Sequence, residues 1–388
     1  MFKLRNLSDI TNNLDNKRKP LNAQERAAIQ KKNLYPYCGA NGVLEYVDEY
    51  LFNEKILCIA EDGGTWGYNQ KCTYIMNEPC WMNNHAHVLT AKGCVSLEYL
   101  SLYLNFTDLN RFITGTTRGK LTKSALEKIQ IPLPMYEIQV QIVNLLQNVN
   151  RVINKRQAQI AALDELTQSV FIEMFGDNIT NKKSYTMVKI KDVAEKEKNS
   201  IKAGPFGSSL KKEFYVSKGY KIYGQEQVIR DDLSYGDYYI DEKKYNDLIS
   251  CSIKEGDVLI SLVGTFGKVS IIPKEFELGI INPRLMKVTL DKNKVNPYFF
   301  KFLMTMPTTV QQISQYAHGG TMGIVNTKIL KDFSIIVPTI GEQEMFVRYL
   351  NQTSDKKEQL QKSLAQMENL YNSILQRAFK GELFKKNL

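Results

Sequence analysis

Basic and hydrogen-bonding side chains stand close to glycines at several places in this sequence, and side chains of these types bind nucleic acids. Arginine, lysine, asparagine and glutamine can read base edges, whereas lysine, arginine, serine and threonine can hold phosphates. The candidates in the first half are Lys17, Arg18, Lys19, Thr65, Trp66, Asn69, Gln70, Lys71, Thr117, Arg118 and Lys120. The candidates in the second half are Ser208, Ser209, Lys211, Lys212, Gln225, Gln227, Arg230 and Thr321. The pattern predicts binding to a polyanion, although solvated loops have a similar composition.

Two glycine-rich segments, 115–120 and 319–323, are included because glycine lets the backbone approach phosphates closely. A turn that only orients the following helix explains them equally well. The first segment, GTTRGK, resembles a nucleotide-binding loop, but it has one residue too few between its glycines and is followed by Leu121. Arg284 is a further candidate, and an ion pair with an internal carboxylate is the alternative.

No group of residues predicts a catalytic site. The tetrapeptide NPYF resembles the Asn-Pro-Pro-aromatic motif of amino-methyltransferases but lacks its second proline. Asn296 followed by Pro297 is more typical of a helix N-cap with proline at the first helical position. The three histidines, His85, His87 and His318, have no recognisable nucleophile partner, and no dinucleotide-binding glycine pattern is present. We therefore expect a chain that is not an enzyme and binds no cofactor.

The six cysteines include no C-x-x-C pair, which is typical of reduced thiols rather than of a disulfide framework. A zinc site is conceivable, although the spacings fit no common zinc motif, and its ligands would be Cys72, Cys80, His85, His87 and Cys94. We expect no bound metal.

The overall charge and hydropathy agree with a cytoplasmic partner of nucleic acid. The net charge is +10, although the basic excess is dispersed along the chain. The N-terminal residues MFKLRNLSDITNN contain no apolar signal core. The longest apolar runs fall far short of the roughly 18 residues that span a bilayer, so we expect no contact with membranes.

A repeat with an offset of 204 residues organises the chain. Residues 115–134 (GTTRGKLTKSALEKIQIPLP) align without a gap on residues 319–338 (GGTMGIVNTKILKDFSIIVP). The same offset continues for about sixty residues, from Gln139 with Gln343 to Phe175 with Phe379. Helical periodicity alone would not reproduce the glycines, the proline and the constant offset together, so an internal duplication is predicted.

Each copy runs into a helix of about 40 residues, roughly 60 Å long, with coiled-coil periodicity. The first apolar seam is Ile142, Leu146, Val149, Ile153, Arg156, Ile160, Leu163, Thr167, Val170 and Met174. The second is Phe346, Leu350, Thr353, Lys357, Leu360, Leu364, Met367, Tyr371, Ile374 and Ala378. Because such a helix cannot bury its seam alone, we expect the two helices to pair antiparallel. Packing of each helix on its neighbouring domain is the alternative.

The remaining segments, 1–114 and 184–318, have mixed strand and helix patterns. YPYCG (35–39) is similar to YKIYG (220–224), and GTWG (64–67) is similar to GTFG (264–267). The sequence around these matches has diverged. We therefore expect two similar folds that present different surfaces.

These features together resemble the specificity subunits of type I restriction-modification systems over the whole chain. The helix endings SVFIEMFGD (169–177) and ILQRAFKGEL (374–383) look like those of the family, and GPFGSSLKKEFY (204–215) is similar to a loop of its target-recognition domains. Pro338 followed by Glu342-Gln343 resembles the start of the helical regions. The first half departs from this pattern because it has Ile138 in place of the glutamate.

The resemblance implies an α+β fold with an internal pseudo-twofold repeat. It places target-recognition domains at residues 1–134 and 182–338 and long antiparallel spacer helices at 135–178 and 339–388. It implies that each domain reads one half of an asymmetric, bipartite site in double-stranded DNA. The implied partners are two methyltransferase subunits and motor-nuclease subunits, which would carry S-adenosylmethionine, ATP and magnesium. The alternatives are a self-sufficient methyltransferase or nuclease and a coiled-coil adaptor that binds only proteins.

Overall fold

The computed structural model describes residues 2–115, 117–263, 267–316 and 325–384. Its chain divides into two compact units, the first formed by residues 1–158 and 361–388 and the second by residues 159–360. The division falls within the two long helices, so each unit contains a part of both.

The secondary structure alternates short strands with helices. The strands of the first unit are β1 (Lys3–Asn6), β2 (Thr11–Asn13), β3 (Tyr35–Gly39), β4 (Gly42–Val47), β5 (Ile56–Ala60), β6 (Thr73–Met76), β7 (Trp81–Met82), β8 (Ala86–Ala91), β9 (Ile113–Thr114), β10 (Lys120–Leu121) and β11 (Gln130–Leu133). The helices that begin in it are α1 (Leu7–Ile10), α2 (Ala23–Ala28), α3 (Leu97–Phe106), α4 (Lys123–Glu127) and α5 (Tyr136–Phe175). The strands of the second unit are β12 (Met187–Lys189), β13 (Ile201–Ala203), β14 (Tyr215–Val216), β15 (Tyr220–Tyr223), β16 (Tyr239–Ile240), β17 (Val258–Ser261), β18 (Val269–Ile271), β19 (Gly279–Ile281), β20 (Leu285–Val288) and β21 (Ser334–Ile336). The helices that begin in it are α6 (Ile190–Val193), α7 (Gln225–Arg230), α8 (Glu242–Asp247), α9 (Pro297–Thr305), α10 (Pro307–Tyr316), α11 (Thr327–Asp332) and α12 (Ile340–Phe379).

The two units share the main features of their sheet topology. A four-stranded antiparallel sheet has the order β2-β8-β5-β6 in the first unit and β13-β20-β17-β18 in the second. A further sheet contains a parallel pair in each unit, β3 with β7 and β15 with β19. The similar segments YPYCG and YKIY form the equivalent strands β3 and β15. The predicted repeat of a mixed fold is therefore confirmed.

The central strands β5 and β17 explain why these sheets form. Every residue of ILCIA in β5 and of VLIS in β17 is buried, as expected for a strand that is covered on both faces. Helix α3 packs on one side of the first sheet, where Leu97, Leu100 and Leu104 join the core. Each unit thus has a hydrophobic core of its own.

A buried glutamine fixes the start of each long helix. In the first unit, the side chain of Gln139 accepts from Ser96 N at 2.8 Å and donates to the carbonyl oxygens of Cys94 at 3.0 Å and Pro134 at 2.9 Å. In the second unit, Gln343 makes the equivalent three bonds, at 2.9, 3.0 and 2.9 Å. Both glutamines are fully buried. The duplication therefore extends to individual polar contacts.

The long helices confirm the predicted coiled-coil pattern. Each contains 40 residues, and every residue of the two predicted seams is buried or half-buried. In the first unit, Ile142 near the start of α5 shares a core with Phe379 at the end of α12. In the second, Phe171 near the end of α5 lies 5.1 Å from Phe346 near the start of α12, measured between ring centroids. The helices are therefore antiparallel, as predicted.

Candidate nucleic-acid interface

Loops that follow strands of both sheets meet in the first unit. The first loop cluster consists of residues 14–19, 61–71, 83–85 and the described part of 115–120. Arg18 donates to Glu61 at 2.7 Å and to the Ala86 carbonyl at 2.6 Å. Lys120 also binds Glu61, at 2.9 Å. These bonds gather predicted contact residues that are far apart in the sequence.

Two acidic residues after β5 hold the basic side chains in place. Asp62 accepts from Arg118 at 2.8 Å and lies 2.8 Å from Nδ1 of His85. Burial raises the pKa of Glu61, but hydrogen bonds from Arg18 and Lys120 outweigh it and lower the pKa below its ordinary value. Glu61 is therefore a carboxylate at neutral pH.

A buried charge network lies beneath this cluster. His87 contacts Asp15 through Nδ1 at 2.6 Å and the Leu121 carbonyl through Nε2 at 2.7 Å. Burial raises the pKa of Asp15, but the hydrogen bond and electrostatic interaction with His87, with further bonds from Val88 and Asn13, lower it overall. The network joins the 14–19 loop to β8 and β10.

The same network is a candidate metal site within the described residues. Ligand atoms of Asp15, Glu61 and His87 lie within 4.8 Å of one another. However, the Arg18 side chain already lies 3.5 Å from Asp15 and 2.7 Å from Glu61. Because this guanidinium supplies the positive charge, the geometry favours an internal ion-pair network.

The residues considered for zinc do not form one site. Cys72 and Cys80 belong to different core clusters. His85 and His87 pair with different aspartates, and Cys94 is exposed. Burial raises the pKa of the Cys72 thiol to about 12, so that this cysteine stays protonated and unreactive.

The second unit has an equivalent set of loops. The second loop cluster consists of residues 204–212, 224–238, 282–284 and Val263. Gly204 N donates to the Leu285 carbonyl at 2.9 Å, and the side chain of Gln225 donates to the Val263 carbonyl. An open cavity of about 660 Å³ is lined by residues of the 224–238 and 282–284 segments, together with Tyr215 and Ile222.

The cavity is lined by both aromatic and charged side chains. Tyr235 lies beneath the guanidinium of Arg230, with 4.2 Å between the charged carbon and the ring centroid. Arg284 also lines the cavity, together with Glu226 and Asp237. Among the described residues, no carboxylate pairs with the exposed Arg284, so the alternative of an internal ion pair is not supported. Donors and acceptors of these types match those that read base edges.

The two clusters occupy equivalent places but carry different chemistry. Lys17, Arg18 and Lys19 follow β2, whereas Ser208 and Lys211 follow the equivalent strand β13. After the paired strands β7 and β19, the first unit has Asn-Asn-His and the second has Asn-Pro-Arg. A shared framework thus presents two different surfaces.

Trp66 and Gln227 were predicted to contact DNA, and their burial argues against both assignments. Both side chains are buried. The Trp66 indole donates to the Ala60 carbonyl at 3.1 Å. Gln227 accepts from Gly224 N at 3.0 Å and caps α7. The two buried side chains stabilise the loops that carry them.

The other predicted residues differ in how accessible they are. Arg18, Ser209 and Gln225 are half-buried. The exposed ones are Lys17, Lys19, Thr65, Asn69, Gln70, Lys71, Thr117, Arg118, Lys120, Ser208, Lys211, Lys212 and Arg230. The whole 319–323 segment, including Thr321, lies outside the described residues. For the exposed residues, DNA contact stays a prediction.

Some residues of these clusters were missed by the sequence-based prediction. Asp62 and Glu61 organise the first cluster, and their signal was an acidic pair directly between a buried strand and two glycines. Tyr235 and Asp237 line the cavity of the second unit, but the loop that carries them has no periodic pattern. Phe206, within the GPFGSS segment, is the most exposed large hydrophobic residue described.

The structure also tests the motifs that resembled catalytic or phosphate-binding sequences. The side chain of Asn296 accepts from Tyr298 N at 2.9 Å, and Pro297 begins α9. This confirms the helix cap. The GTTRGK segment connects β9 to β10, which pair as a hairpin, and its lysine is bound to Glu61.

Among the helices of the described chain, including the two 40-residue helices, none combines the length and the apolar character that crossing a bilayer requires.

Comparison with known proteins adds to these observations. The profile of the family described as "Type I restriction modification DNA specificity domain" matches residues 1–163 and 182–369. A putative type I restriction enzyme specificity subunit of Haemophilus influenzae is 28% identical over 376 residues, which cover 93% of this chain and 88% of the relative. The MjaVIII specificity subunit of Methanocaldococcus jannaschii is 23% identical and covers 75% of this chain and 70% of its own.

Solved structures share the fold. The S subunit of a type I restriction-modification system from M. genitalium superposes with a TM-score of 0.56 at 12% identity, covering 98% of this chain and 96% of the other. A chain from a study of the assembly and conformational transition of the type I R-M system has a TM-score of 0.61 at 16% identity and covers 98% of both chains.

Two equivalent folds with different loop surfaces, joined by shared helices, define a two-domain recognition protein. The family match covers both repeats and most of the chain. The chain belongs to the family of type I restriction-modification specificity subunits, and its function is recognition of a DNA sequence within such a complex.

Proposed function

We propose that each unit reads one half of an asymmetric, bipartite site in double-stranded DNA through its own loop cluster. The observation that carries this proposal is the shared topology of the units combined with their different loop residues. In the first cluster, Arg118 forms an ion pair with Asp62 and Lys120 forms one with Glu61. In the second cluster, Arg284 lines the cavity. Since base readout depends on the pattern of donors and acceptors, the two clusters should select different bases.

We assign contacts with the DNA phosphates to the exposed lysines of each cluster. Lys211 and Lys212 are exposed, and the ion pair of Lys211 with Glu213 is long, at 3.5 Å. Exposed pairs of this kind are weak, so a phosphate can displace the glutamate. These contacts would position the unit without selecting a sequence.

We assign the binding of the methyltransferase subunits to the two long helices. Val140, Leu145 and Val152 lie on the exposed side of α5, and Leu370 lies on that of α12. Exposed apolar side chains on a coiled coil are suited to protein partners. In the complete complex, which would be cytoplasmic, the partner subunits would also supply the motor and nuclease functions.

We further propose that this chain carries out no catalysis. The only candidate metal-ligand set among the described residues, Asp15, Glu61 and His87, is already paired with Arg18, and the Asn-Pro segment is a helix cap. S-adenosylmethionine, ATP and magnesium would therefore bind to the partner subunits. Purified chain incubated with S-adenosylmethionine and target DNA should transfer no methyl group, and transfer by the chain alone would support the self-sufficient enzyme instead.

A domain exchange tests whether each unit reads its own half-site independently of the other. Residues 1–114 are replaced by those of a relative that keeps aromatic residues at Tyr99, Tyr103 and Phe106, because these rings pack on Phe379. Sequencing of methylated sites, with the chimaera bound to its methyltransferase subunits, should show one altered half-site and one preserved half-site. The reciprocal control exchanges residues 184–318. A chimaera that rewrites both half-sites would contradict independent reading.

A further inference from the structure

Phe206 lies in a position that the fold does not explain. Its side chain is 86% exposed, and the next most exposed large hydrophobic residue in the described chain, Tyr316, is 62% exposed. Isolated exposed apolar side chains are common and need no explanation by themselves. The surroundings of Phe206 are what distinguish it.

The loop that carries Phe206 is anchored on both sides. Gly204 lies so close to Asn282 that an added Cβ would stand 1.9 Å from the Asn282 carbonyl oxygen. Pro205 is buried. On the other side, Ser209 N donates to the Phe206 carbonyl at 2.8 Å, and Leu210 is buried in a core cluster. The phenyl ring is therefore held away from the protein by a fixed backbone.

Groups suited to DNA also lie close to Phe206 in the chain. Ser208, Lys211 and Lys212 follow it in the chain and are exposed. The Asn282 backbone that Gly204 contacts leads directly to Arg284, which has no carboxylate partner among the residues described. An apolar wedge beside cationic groups is the arrangement by which proteins open a base step and kink the duplex.

We propose that Phe206 enters the base stack of double-stranded DNA at one step of the half-site that the second unit reads. Lys211 and Lys212 hold the flanking phosphates. This inference rests on the proposed function, because it requires the second loop cluster to face DNA. The equivalent loop of the first unit, LDNKRK, contains no aromatic residue, so the first half-site stays stacked at the corresponding position.

The test uses the full chain assembled with its methyltransferase subunits on a duplex that contains the methylated site. Adenines of each half-site are replaced one at a time by 2-aminopurine, whose fluorescence rises on unstacking, and thymines are probed with permanganate. Energy transfer between dyes at the duplex ends reports bending. The variants are Phe206→Ala, Phe206→Leu, which keeps an apolar wedge, and Leu278→Ala. Leu278 is a matched control because it is exposed and precedes β19, whereas Asn282 and the cavity follow that strand.

The expected result is an unstacked step and a bend in the second half-site with wild type, with Leu278→Ala and, more weakly, with Phe206→Leu. Phe206→Ala should lose both signals and bind about 5-fold to 150-fold more weakly, the usual effect of losing one base–aromatic stack. Wild-type complex that binds the site without unstacking or bending its second half would overturn the wedge and leave the proposed function intact. Equal binding and bending by Phe206→Ala and Leu278→Ala would also overturn it. Failure of the wild-type complex to prefer its site would overturn the proposed function and the wedge together.

Discussion

The buried Gln343 gives a quantitative test of how α12 is attached to the second unit. Its side chain makes three hydrogen bonds to backbone groups from two segments, those of Lys294 and Asn296 and that of Pro338. A typical hydrogen bond contributes about 1 kcal/mol net, and a buried group left without a partner costs about 1–3 kcal/mol. Gln343→Ala should therefore lower the free energy of unfolding by about 3–5 kcal/mol.

Two further variants sharpen this prediction. Gln343→Glu has nearly the same shape, but its carboxylate would face the carbonyl oxygens of Lys294 and Pro338 without a proton to donate, so it should destabilise at neutral pH more than alanine does. Gln139→Ala should lose a similar amount, since Gln139 makes the equivalent bonds in the first unit.

The measurement is urea denaturation followed by circular dichroism. Gln352→Ala serves as the control because Gln352 is exposed on the same helix, and surface substitutions usually change stability by less than about 0.5 kcal/mol. If Gln343→Ala unfolded within about 1 kcal/mol of this control, the reasoning from buried hydrogen bonds would be refuted.

Three other predictions concern charge and packing. Changing Lys211 and Lys212 to Ala should reduce the slope of log K against log salt by about 1.8 while preserving the preferred sequence, since each phosphate contact contributes about 0.9; a changed consensus with an unchanged slope would mean that these lysines read bases. Because the folded-state pKa of Asp15 lies below its ordinary value of 3.8, its stabilising effect is complete above that value and is lost as the pH falls through the folded pKa. As the pH is lowered, the free energy of unfolding should therefore fall less steeply for Asp15→Asn than for wild type. Identical pH dependence in the two proteins would argue against a lowered pKa of Asp15. Phe379→Ala should lower the free energy of unfolding of the first unit by about 3–5 kcal/mol. Proteases should therefore cleave residues 1–114 faster. Unchanged cleavage would contradict the core that Phe379 shares with these residues.

The helices could be predicted from sequence because their signal is local and long. The seams from Ile142 to Met174 and from Phe346 to Ala378 repeat the same spacing over about nine turns, which no short strand can do. The repeat added a second, independent signal. The sheet order could not be derived in this way, since β2 pairs with β8 and nothing in Thr11–Asn13 specifies such a distant partner.

The candidate site was harder to predict because composition does not determine exposure. Trp66 stands between glycines in a polar segment, yet its indole donates to the Ala60 carbonyl and packs into an apolar core. Gln227 was misassigned although its spacing from Gly224 carries a signal: a side-chain acceptor at the third helical position caps the backbone. Reading that spacing first would have assigned Gln227 to the framework.

The sharing of the long helices between the two units has a consequence for synthesis on the ribosome. The first unit includes residues 361–388, and its core contains Leu375, Ala378 and Phe379. These residues are translated after the whole of residues 159–360, so the first unit has to wait, with part of its apolar surface uncovered, until the second long helix emerges. A stop codon after the second unit would therefore damage the half of the protein that was made first.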